Sequence, residues 1–166
     1  TIMADSSDVI LSLLGHQWSQ AKQSEDQRAA MTNYVLIVAA ALQGYIVQRG
    51  FDSFSLTIAI LMIVVGLYGA LASYKYYERF RLATSRIGRW MELLETIHPD
   101  TKIKSTEEKA NKKHEGRYPR MMRLRLHFLW IVLHLAVAAF GFANTGVILA
   151  RRALDASQHR TSSFTI

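Results

Sequence analysis

Residues Ser53–Tyr74, SFSLTIAILMIVVGLYGALASY, run for 22 positions without a charged side chain. A helix that crosses a bilayer needs about 20 mostly apolar residues. This run meets that length. Upstream, Ala29–Gln48 is also uncharged and has YVLIVAAALQGYIV at its centre, although Asn33, Gln43 and Gln48 make it more polar. Only Arg49, Gly50, Phe51 and Asp52 separate the two runs, which suits a tight helical hairpin. Downstream, Leu126–Ala150 gives 25 residues without formal charge, counting His127 and His134 as neutral. Three such runs in 166 residues leave too little polar surface to cover them in water. The chain therefore reads as all-α, an integral membrane protein with three transmembrane helices.

Orientation follows from the lysines and arginines. Lys22 and Arg28 precede the first span, and Arg49 stands at the hairpin tip. The segment Lys75–Arg125 holds 14 such residues, and Arg151, Arg152 and Arg160 follow the last span. The balance places the N-terminus and residues 75–125 in the cytosol. The hairpin tip and the tail are then external. Arg151 and Arg152 count against this, and a re-entrant last span would put the tail inside. The start of the chain is acidic and polar, so no signal peptide is expected. The first span would serve as its own insertion signal.

The polar segments carry helical patterns too. Asp5, Ser6, Ser7 and Asp8 offer N-caps. Ile10, Leu13, Leu14, Trp18 and Ala21 then recur at three- and four-residue steps. No breaker separates this stripe from the first span. Beyond the second span, Tyr76, Phe80, Ala83, Ile87, Trp90, Met91, Leu94 and Ile97 keep the same period until Pro99. One helix over Ser53–Ile97 would be about 67 Å long, roughly twice the hydrocarbon thickness. Helices 1 and 2 are therefore expected to extend into a cytosolic helical bundle. Asp100–Gly116 reads as a loop or a short exposed helix, and Pro119 suits the first turn of the next helix. The expected organisation is a cytosolic amphipathic helix (1–28), a transmembrane hairpin (29–74) and a basic cytosolic helix and loop (75–125). A third transmembrane helix (126–150) and a tail (151–166) complete it.

Composition and motifs exclude much chemistry. There is no cysteine, hence no disulfide, thiolate zinc site, iron–sulfur centre or cysteine nucleophile. No glycine-rich phosphate loop, HExxH or GxSxG is present. No metal site, cofactor or catalytic group is expected, and the chain does not read as an enzyme. Arg120 with His127, and Arg152 with His159, are each separated by six residues, a spacing that resembles the loose signature of HEPN ribonucleases. A membrane-tethered nuclease is thus a third reading. His127 and His134 lie seven apart, which is not metal-ligand spacing. They can bond between helices, or line a pore and sense pH.

Gln43 and Asn144 sit deep in apolar runs, where each needs a partner or water. Small residues surround them: Ala39, Ala40, Ala41 and Gly44; Gly66, Gly69, Ala70 and Ser73; Ala139, Ala143 and Gly146. Such faces let helices approach closely while polar side chains bond across. The alternative is a wet pathway lined by Gln43, His134 and Asn144. The segment 75–125 carries 14 positive and 7 negative side chains. Anionic headgroups account for Lys75, Arg120, Arg123 and Arg125, close to the boundary. Lys102, Lys104, Lys109, Lys112, Lys113 and Arg117 are harder to explain that way. They form a candidate face for a nucleotide or oligonucleotide, or serve topology alone.

The run Leu13-Leu14-Gly15-His16-Gln17-Trp18-Ser19-Gln20-Ala21-Lys22, then Arg28, then Thr32-Asn33-Tyr34 opening a span, resembles small bacterial helical membrane proteins of anti-phage defence islands. So does the second span leading into Tyr76-Tyr77-Glu78-Arg79-Phe80. The groups it is similar to are the RipA-type octameric membrane proteins and the two-helix SLATT-type effectors. The likeness covers about residues 8–98, and the third span is additional to a two-helix scheme. It implies a homo-oligomeric inner-membrane effector or channel-like protein that permeabilises the membrane once a cytosolic signal is sensed. The expected partners are further copies of the chain, membrane lipids, a nucleotide or oligonucleotide on the basic segment, and a partner sensor protein. The alternative is a non-conducting scaffold or inhibitor that binds another membrane protein.

Overall fold

The structure is a computed structural model and describes residues 5–162, without the side chains at 123 and 159–162. Four helices form it: α1 (Ser6–Arg49), α2 (Ser53–Ile97), α3 (Ile103–Arg117) and α4 (Leu126–Ser162). Single 3₁₀ turns lie at Pro99–Thr101 and Met121–Arg123. No strand occurs among the described residues. The helices Ser6–Arg49, Ser53–Ile97 and Leu126–Gln158 are long and apolar enough to cross a membrane. The chain divides into two compact units. The first joins the chain up to Ala29 to Tyr74–Phe128, and the second joins Ala30–Ser73 to the chain from Leu129.

In the second unit the buried positions follow a helical period, mostly in steps of three, four or their sum, seven. On α1 they are Thr32, Val35, Ala39 and Ile46, and on α2 Ser55, Ala59, Met62, Gly66, Gly69 and Ser73. On α4 they are His134, Val137, Ala138, Gly141, Asn144 and Ile148. A 3.5-residue period keeps a seam facing its partner over many turns, as in coiled coils. Ala39, Met62 and Val137 form one cluster, and Ile46, Ala59 and Ile148 another. Each cluster draws one residue from each helix. The helices meet at glycines. A Cβ on Gly66 would stand 2.9 Å from the Ala138 Cα, and one on Gly141 would stand 2.8 Å from the Ile63 nitrogen. Large apolar side chains such as Ile37, Val64, Leu71, Phe140 and Phe142 point outward instead. An apolar exterior around an interior that holds Thr32, His134 and Asn144 suits lipid, not water.

The hairpin tip is built from backbone chemistry. Gly50 and Phe51 both adopt left-handed conformations, with φ of 75° and 65°. Gly50 donates its N–H to the Ile46 carbonyl at 3.2 Å, closing the last turn of α1. Asp52 caps α2: its Oδ1 accepts the Ser55 N–H at 2.8 Å and the Ser55 hydroxyl at 2.9 Å. Those bonds, the backbone N–H first, hold the Asp52 carboxyl below its ordinary value. Arg151 of α4 donates to the Gly50 carbonyl at 3.2 Å and lies 5.1 Å from the Phe51 ring centroid. This arginine therefore has a structural task at the negative end of α1, beyond any role in orientation.

The first unit packs the start of α1 against the end of α2. Ile10, Gln17, Ala21, Ser24 and Arg28 are buried on α1, and Ala83 and Ile87 on α2. Trp18 does not belong to this seam: it is 58% exposed, and Gln17 takes the inward position. Steps of three and four from Ile10 through Leu14 reach 17 and 21, leaving Trp18 one position off the seam. The Ser7 hydroxyl and His98 Nε2 are 2.7 Å apart, which ties the start of α1 to the end of α2. Residues 103–117 form helix α3 with no buried residue, a helix polar on all sides. Its entry is fixed by Lys102 in a left-handed conformation (φ 49°) and by Glu95, whose Oε2 accepts the Lys104 N–H at 3.1 Å. Pro119 does not open α4. It lies in a turn ahead of the 3₁₀ segment, and α4 begins at Leu126. Past Ala150, α4 continues to Ser162, so the described part of the tail is helical.

Candidate functional site

The polar side chains within the spans find one another. Asn144 Nδ2 donates to Gln43 Oε1 at 2.6 Å, joining α4 to α1. His134 Nε2 and the Thr32 hydroxyl are 3.1 Å apart and join the same two helices. The His134 ring is fully buried, and a Cβ on Gly69 would stand 2.9 Å from its Cε1. Gln43, His134 and Asn144 thus act as interhelical bonds within one chain. The bonds engage Asn144 Nδ2, Gln43 Oε1 and His134 Nε2 where hydrocarbon would otherwise leave them bare, while His134 Nδ1 is buried without a hydrogen-bond partner among the described residues. Thr32 stood out in the sequence only as the opening of the first span, not as a bonding partner, because threonine is common in spans and its partner is remote along the chain.

The six basic residues expected to hold a ligand are all exposed: Lys102, Lys104, Lys109, Lys112, Lys113 and Arg117. The helix gathers four of them. Lys109, Lys112, Lys113 and Arg117 follow steps of three and four, so they share one face of α3. Lys104 falls on the opposite face, and Lys102 stands at the entry turn. Glu107 lies away from the four-residue face, whereas Glu108, four before Lys112, and Glu115, three after it, border one edge and offset part of its charge.

A cleft of about 640 Å³ lies in the first unit, lined by Glu25, Arg28, Tyr77, Phe80, Arg81, Met122, Leu124, Arg125, Leu126 and His127. Arg28 is buried and paired with Glu25 one turn before it. The Tyr77 and His127 rings stack at 3.9 Å with an interplanar angle of 11°, forming one wall. Arg81 and Arg125 are exposed at the opening. Three guanidiniums face one carboxylate, a balance that favours an anion. Sequence reasoning had placed Arg125 at a headgroup and His127 in a nuclease-like pair, and had missed Glu25, Tyr77 and Arg81. Their shared signal is position: each lies shortly before or after an uncharged run.

His127 stacks on Tyr77 while Arg120 is exposed and does not line the cleft. Arg152 is exposed, and the side chain of His159 lies outside the described ones. Among the described residues, no three His, Asp or Glu side chains converge to hold a metal ion. No family model matches the chain, no curated protein matches its sequence, and no solved structure matches its fold.

Proposed function

We propose that the chain is one subunit of a homo-oligomeric effector or channel-like protein of the bacterial inner membrane, acting in anti-phage defence. In this reading the N-terminus and residues 75–125 face the cytosol. A nucleotide or oligonucleotide, delivered alone or by a partner sensor, meets the basic face of α3. The observation that carries the oligomer is a second seam on α4. Ala136, Ala139, Ala143, Gly146 and Ala150 are exposed and advance by threes and fours, opposite the buried seam. A groove of about 250 Å³ runs by Ala136, Ala139, Phe140 and Ala143. A Cβ on Gly146 would meet nothing within 4 Å. Small outward residues at this spacing let a second helix approach closely. Because the inward polar groups bond within one chain, any conduit must form between subunits.

The bonded pairs Gln43–Asn144 and Thr32–His134 also suit the second reading, a non-conducting scaffold. Two measurements separate these possibilities. Native mass spectrometry of the full chain is expected to show an oligomer that Ala143→Leu with Gly146→Leu shifts to smaller species. A monomer for the unaltered chain contradicts the proposal. Ion flux from proteoliposomes, dependent on an added nucleotide, then distinguishes the effector from the scaffold.

A further inference from the structure

We infer that the cleft of the first unit is a binding site for an anionic phospholipid, with the headgroup phosphate held by Arg28, Arg81 and Arg125. This assignment is independent of the basic face on α3 and of the oligomer. Its first support is placement. Arg28 is the last residue before the uncharged run Ala29–Gln48, and Arg125 is the last before Leu126–Ala150. Arg81 stands seven residues past Tyr74, about 10 Å along the helix. Arg28 and Arg125 fall where a spanning helix meets headgroups, a layer of about 5–7.5 Å on each side; the Arg81 backbone stands just beyond it, and its long side chain borders the same cleft.

The second support is the amphiphilic lining. Met122, Leu124 and Leu126 are each more than half exposed, yet they border the same cleft as the arginines. A free nucleotide or inorganic phosphate would neutralise the guanidiniums and leave those side chains wet. A phospholipid supplies both chemistries, a phosphate for the arginines and a glycerol-ester and acyl region for the apolar rim. The third support is size and order. The cleft, about 640 Å³, falls in the range of roughly 300–1,000 Å³ usual for small-molecule sites. Arg28 is already buried and held by Glu25, so little freedom is lost when it meets a phosphate oxygen. Guanidinium pairs bind phosphate through two parallel bonds, which a lysine cannot reproduce.

The test uses the purified full chain in detergent, titrated by native mass spectrometry with phosphatidylglycerol, phosphatidylcholine or inorganic phosphate. Phosphatidylglycerol is expected to bind in preference to phosphatidylcholine. Arg81→Gln with Arg125→Gln is expected to weaken phosphatidylglycerol binding roughly tenfold, as loss of charged hydrogen bonds does, without changing phosphatidylcholine adducts. Lys109→Gln with Lys112→Gln is expected to leave both unchanged. Arg81→Lys with Arg125→Lys keeps the charge and is expected to recover part of the preference, which guards against a folding defect in the glutamine variant. The assignment is overturned by equal binding of the two lipids, or by equal losses in the arginine and lysine variants. It is also overturned if inorganic phosphate binds with the same arginine dependence while phosphatidylglycerol does not.

Discussion

Gly69 has no room to become anything larger, because a Cβ there would run into the His134 ring. Gly69→Val is therefore expected to destabilise the second unit by about 1–3 kcal/mol, the usual cost of overpacking. Thermal unfolding in detergent reads this as a lowered Tm, whereas an unchanged Tm would show that the ring has space to yield. The Gln43–Asn144 bond makes a second prediction at this scale. A double-mutant cycle with Gln43→Leu and Asn144→Leu should return a favourable coupling of about 0.6 kcal/mol, and not above roughly 1.7 kcal/mol. Zero coupling would mean that each side chain finds another partner. Both residues were conspicuous in the sequence, since an amide in an apolar run needs a partner. That they were partners of each other was not legible, because the pair is 101 positions apart. Gln17 and Trp18 show the opposite case. The larger apolar residue drew the eye, while the seam period buried the amide.

The hairpin tip is where an element-scale account can be tested by pH. Asp52 is held below its ordinary value by the Ser55 N–H it caps. The folded state thus favours the carboxylate. Its contribution is fully present above the ordinary aspartate value of about 3.9 and is lost as pH falls through the lowered folded value. Asp52→Asn removes the titrating group. Across the range below about pH 4, the unaltered chain should lose Tm more steeply than this variant. Parallel acid slopes for the two would deny the cap a role. The ends of α2 were readable in advance because Asp52 and Pro99 punctuate them. The start of α4 was not. Pro119 fits a helix opening by its fixed φ, but the chain spends residues 119–125 on a turn and a 3₁₀ segment first.

At the scale of the molecule, charge and hydropathy alone carried the all-helical fold and three apolar helices of membrane-crossing length, because hydrocarbon admits few backbone solutions. The cleft was beyond such reading. Its lining comes from three separated stretches, residues 25–28, 77–81 and 122–127, and no local pattern states that they meet. The outward seam on α4 was half legible: Ala139, Ala143 and Gly146 stood out as small, but not as exposed. The central claim is that the three apolar helices cross the bilayer, with residues 75–125 on one side and the hairpin tip on the other. The chain has no cysteine, so single cysteines report on this directly. Ser53→Cys at the tip, Lys109→Cys on α3 and Arg152→Cys past the third apolar run would be probed with a membrane-impermeant maleimide in intact bacterial spheroplasts. Labelling of Ser53→Cys and Arg152→Cys before permeabilisation, and of Lys109→Cys only after it, is the result the account predicts; labelling of Ser53→Cys and Lys109→Cys together in intact spheroplasts would contradict it.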